Sequence, residues 1–334
     1  MAASLTDNKQ NDEPRHAQVR RDQHNATLAA VVRGLMNELS WNKSRELVRT
    51  GRVHVDGAMV FDPAIRLASG AVVDINPTGK RRSAAMLEPE RLIHVDPEIA
   101  VVNKPAFLLS VPYGDDDERD TLIERTRVAL IERERGQGST KLLAVQRLDK
   151  DTTGLLVFAR TRRSRKALEI QFRAHTIHRR YVALVHGRAE GAVYDNFLIP
   201  DRGDGLRGSW RGSKPPSEAK RAITKVRVEE RMRGPTGELT LVSCQIETGK
   251  QHQIRIHLSE AGNPLVGERV YGRRRDRDRS AELNATLGAE RPMLHAASLG
   301  FRHPTNERPM RFEMPLPDDF RALLDRLRSG SDTE

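Results

Sequence analysis

Cysteine is nearly absent: Cys244 is the one thiol in 334 residues. A single cysteine excludes an internal disulfide and a cysteine-built metal cluster, and a reducing, cytoplasmic setting is expected. Its neighbours, Leu241-Val242-Ser243-Cys244, predict a buried strand. Long apolar runs are missing too. No stretch approaches the length of a membrane span, so no membrane partner is expected. Residues 1–25 lack the apolar core of a secretory signal and mix charges of both signs, so a disordered tail is expected there. Neither a Walker loop nor a Gly-x-Gly-x-x-Gly turn after a strand is present, which argues against a nucleotide cofactor. His252 and His257 lie five apart in a segment that reads as extended. The His-Glu-x-x-His spacing that sets two zinc ligands one helical turn apart is absent, and no metal site is expected.

Positive charge, by contrast, is abundant. Lysine and arginine number 57 against 46 acids, a net +11 with a pI near 10.1, which suggests a polyanionic partner. Its distribution strengthens that reading. Between Arg160 and Arg180 there are eight basic residues, among them Arg162, Arg163, Arg179 and Arg180, and one acid, Glu169. A solvated helix face normally mixes the signs; this block reads as a track for phosphates.

Residues 28–39 carry Leu28, Val31, Val32, Leu35, Met36 and Leu39, one face of a helix that Thr27 can cap. Asn42 is the expected cap of a second, short helix stopping at Gly51, with Arg45, Arg49 and Arg52 on one side. Val53 and Val55 alternate with polar neighbours, Asp56-Gly57 signals a hairpin, and Val72 to Ile75 form another strand. The stretch Asn42-Lys43-Ser44-Arg45-Glu46-Leu47-Val48-Arg49-Thr50-Gly51-Arg52-Val53-His54-Val55-Asp56-Gly57 resembles the S4-like RNA-binding domain, over about residues 26–77. The resemblance makes Arg45, Arg49 and Arg52 expected RNA contacts; the alternative is an ordinary helix-turn-hairpin with a solvated basic face. Residues 78–87, with Gly79-Lys80-Arg81-Arg82-Ser83, read as a linker.

Beyond the linker, strands outnumber helices and do not alternate with them, which favours an α+β domain over residues 88–325. Asp201–Pro216 and Arg273–Arg291 read as surface loops. Two acids stand between apolar runs in Gln146-Arg147-Leu148-Asp149-Lys150-Asp151-Thr152-Thr153-Gly154-Leu155-Leu156. A carboxylate at the edge of an apolar core is costly unless it is paired or has a task. Asp151 fits a turn residue before Thr152-Thr153-Gly154; Asp149 reads either as a functional carboxylate or as a structural acid paired beside Arg147.

Four ordered segments resemble the RluA-type pseudouridine synthase family: the Asp149 segment; Arg179-Arg180-Tyr181-Val182-Ala183-Leu184-Val185; Thr248-Gly249-Lys250-Gln251-His252-Gln253-Ile254-Arg255-Ile256-His257-Leu258, continued by Gly262 to Gly267 and Tyr271-Gly272; and Leu294-His295-Ala296 with Phe301-Arg302-His303-Pro304. The resemblance implies a mixed, mostly antiparallel sheet with a central cleft. It implies isomerisation of uridine in RNA, a reaction that needs no redox cofactor and no ATP. By position, Asp149 is the expected nucleophile, Tyr181 the active-site tyrosine and Arg255 the basic partner of the aspartate. Lys104, Arg147, His252 and Gln253 are expected to touch RNA or hold the surrounding structure. Two positions depart from the pattern: Gln146 stands for the usual histidine and Lys250 for the usual arginine. The pairing with an S4-like unit suggests large-subunit ribosomal RNA, with transfer RNA as the alternative substrate. A non-catalytic ribosome-assembly factor on the same fold is the rival from another class. A monomer is expected.

Overall fold

The computed structural model describes residues 13–36, 39–60, 63–78, 86–112, 120–134, 141–271 and 277–331. Contacts divide the chain into two compact units: residues 1–88 with 111–140, and residues 89–110 with 141–334. Segment 111–140 groups by its contacts with the N-terminal unit. Most of the expected linker, residues 79–85, lies outside the described residues.

The N-terminal unit begins with strand β1 (Arg15–Gln18). Thr27 caps helix α1 (Leu28–Leu35), its hydroxyl accepting from the Ala30 N–H. Ser40, not Asn42, caps α2 (Trp41–Arg49), accepting from the Lys43 N–H. A cap oxygen reaches the amide three residues on, and Asn42 already lies inside the first turn. Strands β2 (Val53–Val55), β3 (Ala58–Met59) and β4 (Val72–Ile75) complete a sheet in the order β1-β4-β2-β3. Asp56 and Gly57 both take positive φ, the backbone that a two-residue hairpin requires. Leu28, Val32, Leu47, Val48, Val53 and Val73 close the core. β1 falls within the expected disordered tail and corrects that expectation for residues 15–18. Arg-His-Ala-Gln shows no apolar alternation; the strand is held by antiparallel pairing with β4 and by buried Val19 behind it. Helix α3 (Leu122–Arg133) belongs to this unit and buries Leu122, Ala129 and Leu130.

The larger unit is one mixed sheet. Its strands are β5 (Leu92–Val95), β6 (Ile99–Lys104), β7 (Leu143–Ala144), β8 (Thr153–Ala159), β9 (His178–His186), β10 (Ala192–Ile199), β11 (Gly208–Ser209), β12 (Lys220–Gly234), β13 (Gly237–Ile246), β14 (Leu294–Arg302) and β15 (Pro309–Glu313). They run in the order β11-β10-β12-β13-β9-β14-β8-β6-β5, with β15 on β14 and β7 on β8. Among the described residues, β14 and β8 are the pair that runs parallel. Helix α4 (Arg162–Arg173) follows β8 and buries Leu168 beside Val101, Leu155 and Val157. Helix α7 (Asp318–Ser331) lays Phe320, Leu323, Leu324 and Leu327 against Leu184, Leu239 and Leu241. Cys244 is fully buried on β13, and burial pushes its thiol up to about 12. Both expected surface loops carry structure. Ser209 and Gly208 pair with β10, and Arg277–Thr286 forms helix α6. Arg291, at the end of the second expected loop, is buried and forks onto Asp319 at 2.7 and 3.0 Å.

Candidate active site

Asp149 sits on the turn that feeds β8, and every carbonyl of that turn has a donor. Ser110 Oγ donates to Leu148 O at 2.9 Å, and the Thr152 N–H to Asp149 O at 3.1 Å. Lys104 Nζ donates to Lys150 O at 2.7 Å, and Arg291 Nη1 to Asp151 O at 3.3 Å. A backbone so completely satisfied holds its side chain in one place. β8 leaves the turn through Gly154, whose φ is +111°; a Cβ there would meet Ala296 O at 2.3 Å. That close approach seats β14 against β8. Ala296 pairs with Gly154 on one side and Tyr181 on the other, so the register brings Tyr181 to the same end of the sheet as Asp149. Beneath the turn, Thr153 Oγ1 lies 2.8 Å from His295 Nδ1.

The opposite wall comes from helix α5 (Gln253–Glu260). The segment was expected to be extended; it is helical, with His252 as its N-cap in the left-handed region at φ 58°. Gln253 through Ser259 are all buried, so the alternating Ile-Arg-Ile-His-Leu reflects burial all round, not a strand with one wet face. Arg255 Nη1 faces Asp149 Oδ2 at 3.7 Å. Its Nε and Nη2 are taken by Glu268, each at 2.8 Å. Glu268 Oε1 also accepts the backbone N–H groups of Arg269, Val270 and Tyr271. Burial works against both charges, but their bidentate bond outweighs it: the Arg255 guanidinium is held above its ordinary range and the Glu268 carboxyl below its own. His252 Nε2 lies 3.9 Å from Asp149 Oδ1, and its Nδ1 lies 2.6 Å from Tyr271 Oη. Burial lowers the His252 imidazole against the pull of Asp149 and pushes Tyr271 up to about 12. Burial, aided by the Asp149 charge, raises Tyr181 as well.

The structure thus brings together Asp149, Arg255 and His252, with Tyr181 close enough for its hydroxyl to feel the carboxylate. Glu268 was not singled out from the sequence. Its only sign there was the Gly-Glu-Arg that follows Pro264-Leu265-Val266, which reads as an exposed turn.

Three expected RNA contacts are interior residues, and that expectation is corrected for them. Lys104 is fully buried; burial pulls its amine down to about 7, and it donates to Pro105 O as well as Lys150 O. Arg179 is buried over the Phe172 ring and donates to Glu247 O at 2.8 Å. Gln253 is buried, accepting from Thr248 Oγ1 and the Lys250 N–H and donating to Ile223 O and Thr224 Oγ1. Its bonding capacity is spent inside the protein. His257, also interior, bridges Thr224 Oγ1 and Asn196 Oδ1. Arg147, Arg162 and Arg163 are exposed, while Arg180 is half-buried. In the N-terminal unit, Arg45 is exposed with its guanidinium 5.7 Å from the Trp41 ring centre, and Arg52 is half-buried. The side chain of Arg49 lies outside the described residues. Gln146 Nε2 is buried with no hydrogen-bond partner among the described residues.

A mixed sheet with a buttressed carboxylate on the turn before β8, the strand that pairs in parallel with β14, defines a class, and the comparisons supply its family. The family model described as RNA pseudouridylate synthase matches residues 98–260. The chain is 31% identical over 301 residues to "Ribosomal large subunit pseudouridine synthase D" of Zymomonas mobilis, covering 89% of this chain and 92% of that one. It is 32% identical over 309 residues to the protein of the same name from Xanthomonas campestris, covering 90% and 89%. The fold is similar to that of the human protein "RNA Pseudouridylate Synthase Domain Containing 4", with a TM-score of 0.56 at 23% identity over 72% of this chain and 93% of that one. The chain belongs to the RNA pseudouridylate synthase family. It is an RNA pseudouridine synthase, an isomerase.

Proposed function

We propose that the protein isomerises uridine in large-subunit ribosomal RNA with Asp149 as its nucleophile. The names of the relatives support the substrate. One observation carries the residue assignment: Asp149 is a partly exposed carboxylate on a turn whose carbonyls from Leu148 to Asp151 all accept hydrogen bonds, and Arg255 Nη1, the nitrogen that Glu268 does not take, faces it at 3.7 Å. A carboxylate so placed is oriented and open to a substrate. Pseudouridine formation breaks the N1–C1′ bond, turns the uracil and joins C5 to C1′. The proton lost from C5 is balanced by one gained at N1, so nothing enters or leaves. Asp149 attacks the uridine and is released when the new bond is complete. Tyr181, kept neutral by burial, offers a ring for the uracil to stack on and a hydroxyl for proton transfer. The uridine must leave its stack to reach them.

The S4-like reading of residues 26–77 makes the N-terminal unit the grip, through Arg45, Arg49 and Arg52. The exposed Arg147, Arg162 and Arg163 give the larger unit basic side chains of its own for RNA.

The test is expression in cells lacking the protein, with pseudouridines mapped across total RNA. The parent chain should restore at least one site in large-subunit ribosomal RNA. Asp149→Asn should restore none, turnover falling by on the order of 10⁴-fold or more with RNA affinity kept. An Asp149→Asn protein as active as its parent would end the nucleophile assignment.

A further inference from the structure

Asp149 has two carboxylate oxygens, and each faces a different donor. Oδ2 faces Arg255 Nη1 at 3.7 Å and Oδ1 faces His252 Nε2 at 3.9 Å. The chemistry of the second donor depends on a proton. A neutral imidazole carries one N–H, and the bond at one nitrogen decides the state of the other. His252 Nδ1 is bonded to Tyr271 Oη at 2.6 Å. If the phenol donates, the ring proton sits on Nε2 and points at the carboxylate. If Nδ1 donates instead, Nε2 turns a lone pair on a negative oxygen, which repels it. Electrostatics selects the first arrangement. The charged groups around His252 are Asp149, Arg255, Glu268 and Arg207, and the two cations disfavour a doubly protonated ring.

Tyr271 is itself fixed. Its N–H donates to Glu268 Oε1 at 3.1 Å, its ring lies 5.2 Å from the Arg255 guanidinium, and it meets His252 edge-on with centres 5.4 Å apart. Glu268, which ties down Arg255, therefore ties down the phenol as well. Asn284 anchors this loop from behind, accepting the Gly267 N–H at 2.7 Å and donating to Glu268 O at 3.1 Å. Both donors that face Asp149 are set by one loop.

We propose that Tyr271 and His252 are positioning residues for the reaction: the Tyr271 hydroxyl fixes the His252 tautomer, so that Nε2–H holds Asp149 Oδ1 while Arg255 holds Oδ2. The separation is 3.9 Å, and catalytic contacts of this kind tighten when a substrate docks. This inference rests on the Asp149 assignment.

The test is a double-mutant cycle. Uridine C5 loses its proton in the reaction, so turnover is read as tritium released from protein-free large-subunit ribosomal RNA labelled at C5, taken from cells lacking the protein. Tyr271→Phe should lower kcat about tenfold, the size of one ordinary hydrogen bond, with little change in KM. His252→Gln puts an amide N–H in the place of Nε2 without any tautomer, and should keep most of the activity. In that background Tyr271→Phe should change kcat by less than about twofold. An equal loss in both backgrounds would make Tyr271 a packing residue and overturn the proposal. Nitrogen-15 NMR of the parent protein checks the premise without a variant: a protonated Nε2 on His252 is expected, and a protonated Nδ1 with bare Nε2 overturns it. Asp149→Asn is run alongside. Tritium release by that variant means that the nucleophile assignment has failed; its silence with an equal loss in both backgrounds means that only the tautomer arm has.

Discussion

At the scale of single residues, the site is a set of buried charges spent on geometry. Lys104 and Arg291 are both almost wholly buried, and each gives a hydrogen bond to a carbonyl of the Asp149 turn. Sequence reading singled out Asp149, Tyr181 and Arg255 through the extended motifs around them, and the structure sets Arg255 3.7 Å from Asp149. The same reading assigned Lys104, Arg179 and Gln253 outward because a lysine, arginine or glutamine is usually exposed; what turns them inward is tertiary contact, which leaves no local mark. Glycine at 154 is the clearest single-residue requirement. Alanine there would combine a positive φ with a Cβ 2.3 Å from Ala296 O. Gly154→Ala should cost about 3 kcal/mol or more and part β14 from the Asp149 turn. Urea midpoints should fall and activity fall further; an unchanged midpoint would contradict the close approach.

At the scale of elements, α4 carries the expected basic block, and Glu98 answers only part of its charge, accepting from Thr161 Oγ1 and Ser164 Oγ at the helix start and interacting with Arg163. Thr161 caps it by accepting the Ser164 N–H, yet its first turn holds Arg162 and Arg163 and no acid. Cations at a helix N-terminus oppose its dipole, and Arg165 is the exposed base in this helix that Glu169 pairs. Phosphates would reverse that balance. Replacing Arg162 and Arg163 with alanine should weaken RNA binding at every sequence tested. The slope of log affinity against log salt should shrink by about one for each lost phosphate contact. Filter binding at graded salt measures it, and an unchanged slope would remove α4 from the interface. The basic block was legible as composition. The helix α5 was not, since burial on all sides makes a helix look like an alternating strand, and β1 was hidden because its pairing is purely backbone.

At the scale of the whole molecule, the larger unit folds around imidazoles that must stay neutral. His257 bridges Thr224 and Asn196 within the sheet and α5, and His295 links Thr153 to Met314 O. Burial holds both at about 4, against an ordinary 6.5. Between those values the unfolded chain binds protons that the folded chain refuses. Stability is therefore full above about pH 6.5 and is lost as pH falls toward about 4. The loss is on the order of 3 kcal/mol for each ring at the bottom of that window, as an upper limit. Lys104 acts in a higher window. Its folded amine titrates near 7 and its unfolded amine near 10.5, so the unfolded chain again holds the extra proton and stability rises with pH between them. Urea midpoints taken at about pH 7, 5.5 and 4.5 should fall monotonically, and His257→Gln should flatten the acid part of the curve, because the amide keeps a hydrogen-bonding group without a proton to gain. A midpoint that stays level from about pH 6.5 to about 4 would mean that these rings are charged in the folded protein, with both nitrogens of each ring donating, to Thr224 and Asn196 and to Thr153 and Met314 O.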